Sequence, residues 1–304
     1  MKALVTGGAG FVGRYLVKEL TKKKIKTIIF DQISPERNQD THPPDISYIK
    51  GDILDLDSLT KSMKGCDLVF HTAAIAEIDE TRRNPVKTMN VNVMGTVNCL
   101  EAARASGIKR FLYASSVYAS GSRGSFYRVS KQAGESLCRT YYEDFGLEYT
   151  ILRYGSLYGR EPNHWNFIYG VCHDLLTKGE FTYSSSPDAI REYIHINDAA
   201  RETVRIATDN DFANKSVLIT GHQRLKMKEF FDMIEEILEK DITIHYELSE
   251  HQRHYIRTPY SFDVDVPVRI NLSSYVDISE GILDCLQEIH KEIRKGNKEK
   301  TKKE

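Results

Sequence analysis

Residues 2–13, Lys2-Ala-Leu-Val-Thr-Gly-Gly-Ala-Gly-Phe-Val-Gly13, decide the fold. The apolar run through Val5 has the length of a short buried strand. Four glycines interrupt the next eight residues, and Phe11, Leu16, Val17 and Leu20 then recur at helical spacing through about Lys23. A strand leading through a glycine-rich turn into a helix is the dinucleotide-binding fingerprint. Glycine permits the tight turn, the close approach of a pyrophosphate and close helix–strand packing. The helix N-terminus supplies N–H groups and a favourable dipole for phosphate. A second strand, Lys26–Phe30, ends in Asp31, 18 residues after Gly13. A carboxylate there accepts hydrogen bonds from the adenosine ribose and repels a 2′-phosphate, so NAD is expected in preference to NADP.

Outward from this unit, strand and helix signals alternate. Gln32–Asp45 is polar and Pro-containing, a surface connection. Strand Ile46–Lys50 leads to Gly51-Asp52-Ile53, a helix from about Asp57 to Lys64, and Gly65 as its cap. Strand Asp67–His71 runs into Thr72-Ala73-Ala74, whose small side chains leave room for a cofactor across the sheet. His71 reads as a packed or hydrogen-bonded strand end rather than a catalyst. Pro85 suits the first turn of a helix reaching about Ser106, followed by a strand at Phe111, a helix from Tyr127 to about Phe145 and strand Tyr149–Arg153.

The alternation predicts an α/β fold, a Rossmann-type doubly wound parallel sheet over residues 1–154, with further elements returning from about 190–220. Residues 155–304 form mainly a smaller, mixed α/β C-terminal substrate-binding region, discontinuous in sequence. It begins with a loop-like Gly155–Asn166 containing Trp165. Helix Phe167–Lys178, strand Phe181–Tyr183 and the segment Arg191–Asp198 follow, with Asn197 or Asp198 capping helix Ala199–Thr208. Strand Ser216–Ile219, helix Lys226–Glu239, strand Ile242–Tyr246, an irregular Glu247–Ser274 and a helix from Ser279 to about Lys295 complete the chain.

The 304 residues carry a net charge of −1, which points away from nucleic acid or a membrane surface as partner. Five scattered cysteines without C-x-x-C spacing read as reduced thiols and give no metal site. No apolar run is long enough to span a bilayer, and Met1-Lys2 leads straight into the first strand with no leader. These features together suggest the cytoplasm.

The chemistry-bearing stretch is Phe111–Lys131, FLYASSVYASGSRGSFYRVSK. Tyr127 and Lys131, four apart on a helix, share a face at roughly 5–6 Å between Cβ atoms. An ammonium so close is expected to pull a phenol down from its usual value of about 10. A serine at the preceding strand end shares a substrate oxygen with the tyrosine. Such a set moves a proton on and off an alcohol or carbonyl.

The chain resembles the extended short-chain dehydrogenase/reductase family, in its NAD-dependent epimerase/dehydratase branch acting on nucleotide sugars. The likeness is carried by Thr6-Gly-Gly-Ala-Gly-Phe-Val-Gly13, Asp31, Gly51-Asp52-Ile53, His71-Thr-Ala-Ala74, Asn92-Val-Met-Gly-Thr96, Ser115-Ser116-Val117, Tyr127-x-x-x-Lys131, Leu152–Gly159 and Arg191–His195, in family order over roughly residues 1–210. The resemblance implies that Gly7, Gly10 and Gly13, with the Phe11 and Val12 amides, cradle the pyrophosphate of NAD. Asp31 takes the ribose, Asp52 and Ile53 flank the adenine, Ala73 and Ala74 line the cofactor path, and Asn92 lies near the nicotinamide. Tyr127 is the acid/base, and Lys131 binds the nicotinamide ribose. Ser116 bonds the reacting sugar oxygen, with Ser115 as the alternative. Arg191 contacts the diphosphate of a nucleotide-diphosphate sugar, and His195 is a structural strand residue. Ser156, standing where the family has an amide near the substrate phosphates, counts with the substrate-binding residues.

Several departures bear on the reaction. Ser116 and Tyr127 are 11 residues apart, closer than in many sugar-nucleotide epimerases. Ser115-Ser116-Val117 replaces the Thr-Asp-Glu of dehydratases, which disfavours 4,6-dehydration. Arg257-Thr-Pro-Tyr260 through Val266-Pro-Val-Arg269 replaces the family's C-terminal patterns and leaves the base unassigned. The resemblance implies a nucleotide-sugar 4-epimerase working through a transient 4-keto sugar, with a 4-dehydrogenase or 4-keto reductase as the alternative. A 4,6-dehydratase and a non-catalytic NAD-binding protein stand further off. It also implies a homodimer joined through the helices from about Pro85 and Tyr127.

Overall fold

Strand β1 (Lys2–Thr6) is buried from Ala3 onward and is an interior strand of an eight-stranded sheet. The computed structural model describes residues 1–33, 45–160, 166–247, 268–269 and 274–300. Within these, the chain divides into two units. One comprises Met1–Gly155, Ala199–Ile219 and Pro259–Asn271, the other Ser156–Asp198, Thr220–Thr258 and Leu272–Glu304.

In the first unit, α1 (Phe11–Lys22) buries Leu16, Val17 and Leu20 and hands the chain to β2 (Lys26–Asp31). Then come β3 (Ile46–Lys50), α2 (Leu56–Met63), β4 (Leu68–His71), α3 (Ile78–Arg83), α4 (Pro85–Met89) and α5 (Gly95–Ala105). Strand β5 (Arg110–Ser116), helix α6 (Ser125–Phe145) and strand β6 (Tyr149–Tyr154) follow. The chain leaves this unit after β6. It returns as most of a helix, α8 (Ile196–Thr208), and a strand, β10 (Lys215–Ile219), with a two-residue strand, β13 (Val268–Arg269), at the far edge.

The second unit contributes β7 (Ser156–Tyr158), α7 (Phe167–Lys178), β8 (Glu180–Tyr183), β9 (Ile190–His195), β11 (Arg224–Lys226), α9 (Met227–Leu238), β12 (Thr243–Tyr246) and α10 (Ile278–Lys300).

The large sheet has the order β13-β10-β6-β5-β4-β1-β2-β3, and all its pairings are parallel. Strand order reverses at β1, between β2 and β4. At such a switch point a crevice opens beyond the carboxyl ends of the strands. The core against α2, α5 and α6 is built from Phe30, Leu59, Met63, Leu100, Phe111 and Tyr113, among others. Each large side chain so enclosed contributes about 1.5–3 kcal/mol through burial.

The second unit has its own core around Tyr158, Leu175, Tyr193, Phe230, Phe231 and Ile282. Its β9 pairs in parallel with β7 and antiparallel with β11, and β12 pairs in parallel with β8.

Three sequence expectations change. The helix from Pro85 to about Ser106 is unbroken but not regular: α4 passes through a π-helical turn, Asn90–Met94, into α5. Turning there brings Asn92 inward, where its Oδ1 accepts from the Ile75 N–H at 2.8 Å and its Nδ2 donates to the Ile75 carbonyl at 2.9 Å. Ser156–Tyr158, expected as loop, is a strand, because β9 offers it an edge. Helix α8 begins at Ile196, so Asp198 lies in its first turn, where its Oδ2 accepts from the Val276 N–H at 2.8 Å. Trp165 and residues 257–267 lie outside the described residues.

His71 locks β1, β4 and the π-helical turn together. Its Nδ1 lies 2.7 Å from Thr6 Oγ1, and its Nε2 lies 3.0 Å from Thr96 Oγ1. Thr96 donates its own proton to the Asn92 carbonyl at 2.6 Å. It therefore accepts from His71, which assigns the proton to Nε2 and makes Nδ1 the acceptor of Thr6. Burial, with repulsion from Lys131 second, lowers the imidazole pKa to about 3. Between that value and the unfolded value of about 6.5, the unfolded chain binds the extra proton, so stability falls as pH drops through this window. Denaturant unfolding at pH 7 and pH 5 is expected to show a loss of about 2 kcal/mol from this group, and His71→Gln is expected to flatten that dependence.

Candidate active site

The glycine-rich turn is shaped by steric necessity. Gly7 has φ +69°, and a side chain there would meet the Ala73 nitrogen at 2.7 Å. A Cβ on Gly13 would stand 2.2 Å from the Gly7 carbonyl oxygen, so α1 lies directly on the turn. Gly10 caps α1 without a side-chain hydrogen bond, and no acid occupies the first turn. The N–H end of the helix at Phe11 and Val12 is thus left for an anionic group.

Asp31 braces the same turn: Oδ2 accepts from Ala9 N–H and Oδ1 from Ile33 N–H, each at 3.0 Å. Each carboxylate oxygen keeps a second acceptor position for a ribose hydroxyl. Asp52 accepts from Leu54 N–H at 2.9 Å, while Ile53 is buried against Gly95. Beside them runs an open groove of about 660 Å³ lined by Gln32, Asp52, Arg83, Lys87 and Asn90. Its two cations face acids, Arg83 with Glu77 at 3.4 Å and Lys87 with Glu80 at 3.7 Å. With Asp31 at the end of β2 and the small Ala73 and Ala74 after β4, these residues fit a dinucleotide carrying a free 2′-hydroxyl.

Ser116 lies at the carboxyl end of β5, and Tyr127 and Lys131 lie in the first turns of α6. Ser116 Oγ accepts from Tyr118 N–H at 3.3 Å, which leaves its own hydrogen to donate. Tyr127 keeps part of its ring exposed, but its hydroxyl lies deep. Burial raises the phenol to about 12, and the Ser116 hydrogen bond works against that rise. Lys131 is buried, donates to the Ala114 carbonyl at 2.7 Å, and lies 5.1 Å from the Tyr113 ring and 5.6 Å from the Tyr127 ring. Desolvation lowers it to about 8, with the Glu135 carboxylate opposing. The expected ammonium–phenolate contact is therefore not made through the phenol oxygen; Lys131 is held by a carbonyl and by π faces. Ser115 turns elsewhere and donates to Glu135 Oε1 at 2.5 Å.

The short connection from Ser116 to Tyr127 is tied at several points. Gln132 donates to the Ala119 carbonyl at 2.9 Å and Arg128 to the Gly121 carbonyl at 3.4 Å. Gly124, at φ +109°, and Ser125, at φ +51°, turn the chain into α6. A non-glycine residue in the left-handed region is uncommon and is held there by its surroundings. Sequence reasoning passed over Ser130. It accepts from Asn92 Nδ2 at 3.0 Å and donates to the Tyr127 carbonyl at 2.8 Å, linking the π-helical turn to the tyrosine. Its place between Tyr127 and Lys131 was the available signal.

In the second unit, Arg191 is buried on β9, with Nη1 donating to the Ile190 carbonyl at 3.0 Å and Nη2 to the Tyr183 hydroxyl at 3.5 Å. Ser156 pairs with Tyr193 on the neighbouring strand, two residues along from Arg191. His195, expected as a structural strand residue, ends β9 in a buried position and stands edge-on to Tyr158 at 5.2 Å between ring centroids.

Comparison with known proteins places this geometry in context. A profile of the NAD dependent epimerase/dehydratase family matches residues 3–220. A putative UDP-glucose 4-epimerase of Methanocaldococcus jannaschii is 28% identical over 249 residues, covering 76% of this chain and 80% of that protein. A UDP-N-acetyl-alpha-D-glucosaminuronate decarboxylase of Bacillus cytotoxicus is 32% identical over 260 residues, covering 73% and 79%. Among solved structures, the UDP-N-acetylglucosamine 4-epimerase of Methanobrevibacter ruminantium M1 superposes with a TM-score of 0.82 at 21% identity, covering 96% of this chain and 98% of the other. Since the family profile spans the strand–turn–helix, the Ser/Tyr/Lys segment and β9, the chain belongs to the NAD-dependent epimerase/dehydratase family and is an enzyme whose cofactor is NAD.

Proposed function

We propose that this enzyme is a nucleotide-sugar 4-epimerase acting through a transient 4-keto sugar. The observation that carries the reading is the placing of Tyr127 beside the buried Lys131, whose ammonium is held by the Ala114 carbonyl 5.6 Å from the Tyr127 ring at the end of the strand that carries Ser116. Tyr127 takes the proton of the sugar C4 hydroxyl and later returns it. Ser116 donates to the same sugar oxygen and so positions it against the phenol. Bound NAD supplies a hydride acceptor at C4 that gives the hydride back. Lys131 keeps positive charge near the phenol and hydrogen-bonds the nicotinamide ribose. Arg191 contacts the substrate diphosphate and Ser156 the adjoining phosphate oxygens.

The relatives support a sugar substrate on a nucleoside diphosphate, since their names specify UDP-sugars. Dehydration needs an acid to expel the C6 hydroxyl. The chain carries no Asp or Glu between Lys109 and Lys131, so neither β5 nor the connection to Tyr127 supplies one.

We place the enzyme in the cytoplasm, since all five cysteines are buried and unbridged. We also propose a homodimer through α4, the π-helical turn and α6, which expose Val86, Met94, Phe126 and Val129. Apolar side chains gathered on neighbouring helices suit an isologous contact.

Incubating the enzyme with UDP-, GDP-, CDP- and dTDP-hexoses is expected to give a C4 epimer by NMR without net NADH. No epimer from any donor contradicts the reading. Tyr127→Phe is expected to lower kcat by about 10²- to 10⁴-fold while NAD still binds. Sedimentation is expected to show twice the monomer mass, reduced to monomer by Val129→Asp; a monomeric wild type sinks the dimer.

A further inference from the structure

Behind Ser116 and Lys131 lies a buried polar cluster to which the proposed chemistry assigns no role. Glu135 sits one turn beyond Lys131 on α6, and Arg153 sits on β6 in register with Ser115 of β5. All three side chains are buried. Arg153 grips Glu135 with two forks, Nε to Oε1 at 2.9 Å and Nη2 to Oε2 at 2.8 Å. Its remaining arm, Nη1, reaches the hydroxyl of Ser120 in the Ser116–Tyr127 connection at 3.0 Å. Ser115 completes Glu135 Oε1, and Arg139 approaches Oε2 at 3.5 Å. A bidentate, charge-assisted pair fixes both partners in direction as well as distance.

A buried ion pair is weak evidence for stability, because desolvation offsets much of the attraction. Here it joins three groups that set the reacting geometry: the residue before Ser116, the connection leading to Tyr127, and the helical turn that carries Lys131. We propose that Glu135 and Arg153 are positioning residues for the Ser116/Tyr127/Lys131 set. In this role Glu135 holds Lys131 as an ammonium, and Arg153 holds the Ser116–Tyr127 connection through Ser120. The proposal rests on the acid/base reading above and deepens it.

The groups around Lys131 bear this out. Tyr127 and Cys138 share its helix, Tyr113 faces it from β5, and His71 approaches from β4. None of these supplies a formal negative charge at neutral pH. Arg153 on β6 and Arg139 on α6 face Glu135. Glu135 is thus the carboxylate opposing the desolvation of Lys131.

The test is an NMR titration of Lys131 in the full chain carrying ¹³C-labelled lysine, assigned with Lys131→Arg. The wild-type midpoint is expected near 8. In Glu135→Gln it is expected to fall by about one pH unit, the size of losing an opposite charge one helical turn away, whereas Glu135→Asp restores it. With substrate, kcat of Glu135→Gln is expected to fall about tenfold or more, and the alkaline limb of its pH profile is expected to move with the midpoint. A midpoint unchanged in Glu135→Gln overturns the role assigned to Glu135, whatever stability that variant loses. Should that variant not fold, Ser120→Ala tests the other arm. An about three- to tenfold lower kcat with KM within about twofold is expected, and a wild-type kcat overturns it. The titration needs no substrate, so a failure to turn over any nucleotide sugar sinks the epimerase reading and leaves this test standing.

Discussion

A lysine ammonium buried at the carboxyl end of a parallel sheet is the constraint on which the site depends. Lys131 has exchanged water for one backbone carbonyl, two aromatic faces and a carboxylate one turn away. That exchange is incomplete, and burial holds it near 8. The same burial pushes the Tyr127 phenol to about 12. At neutral pH the chain by itself keeps a proton on both. Two neighbours oppose these shifts, Ser116 at the phenol and Glu135 at the ammonium. The protein alone therefore keeps Tyr127 protonated, and the base form requires more positive charge near the phenol than the chain supplies.

The arrangement explains why so much polar chemistry is buried around one turn of helix. Asn92, turned inward by the π-helical turn, reaches Ser130 and through it the Tyr127 carbonyl. His71, Thr6 and Thr96 tie that same turn to the glycine-rich loop. The strand end before the glycine-rich turn and the residues that hold the tyrosine are thus parts of one hydrogen-bonded chain. π-helical turns concentrate at functional sites for this reason: they redirect one side chain without ending the helix.

Local signals made the fold legible. The strand–glycine–helix start and the later alternation each lie within a few residues, and the parallel sheet follows from them. The π-helical turn in the helix after Pro85 was not legible, because the partners that turn Asn92 inward lie at Ile75 and Ser130. Strand β7 was missed because three residues carry no periodicity, and only β9 makes them a strand. The choice between Ser115 and Ser116 turns on a strand-end twist and on Glu135, an acid 20 residues away from Ser115. Glu135 itself falls on the face that carries Lys131 and Cys138, and spacing alone does not say that it is buried.

The central claim is that Tyr127 and its neighbours run a reversible hydride exchange at C4 rather than a proton abstraction from carbon. The most direct measurement uses a nucleotide hexose deuterated at C4 and turned over in ordinary water. Retention of the deuterium at C4 of the epimerised product, without build-up of reduced cofactor, is the predicted result. Loss of the label to solvent, or reduced cofactor forming in step with oxidised sugar, would contradict the account.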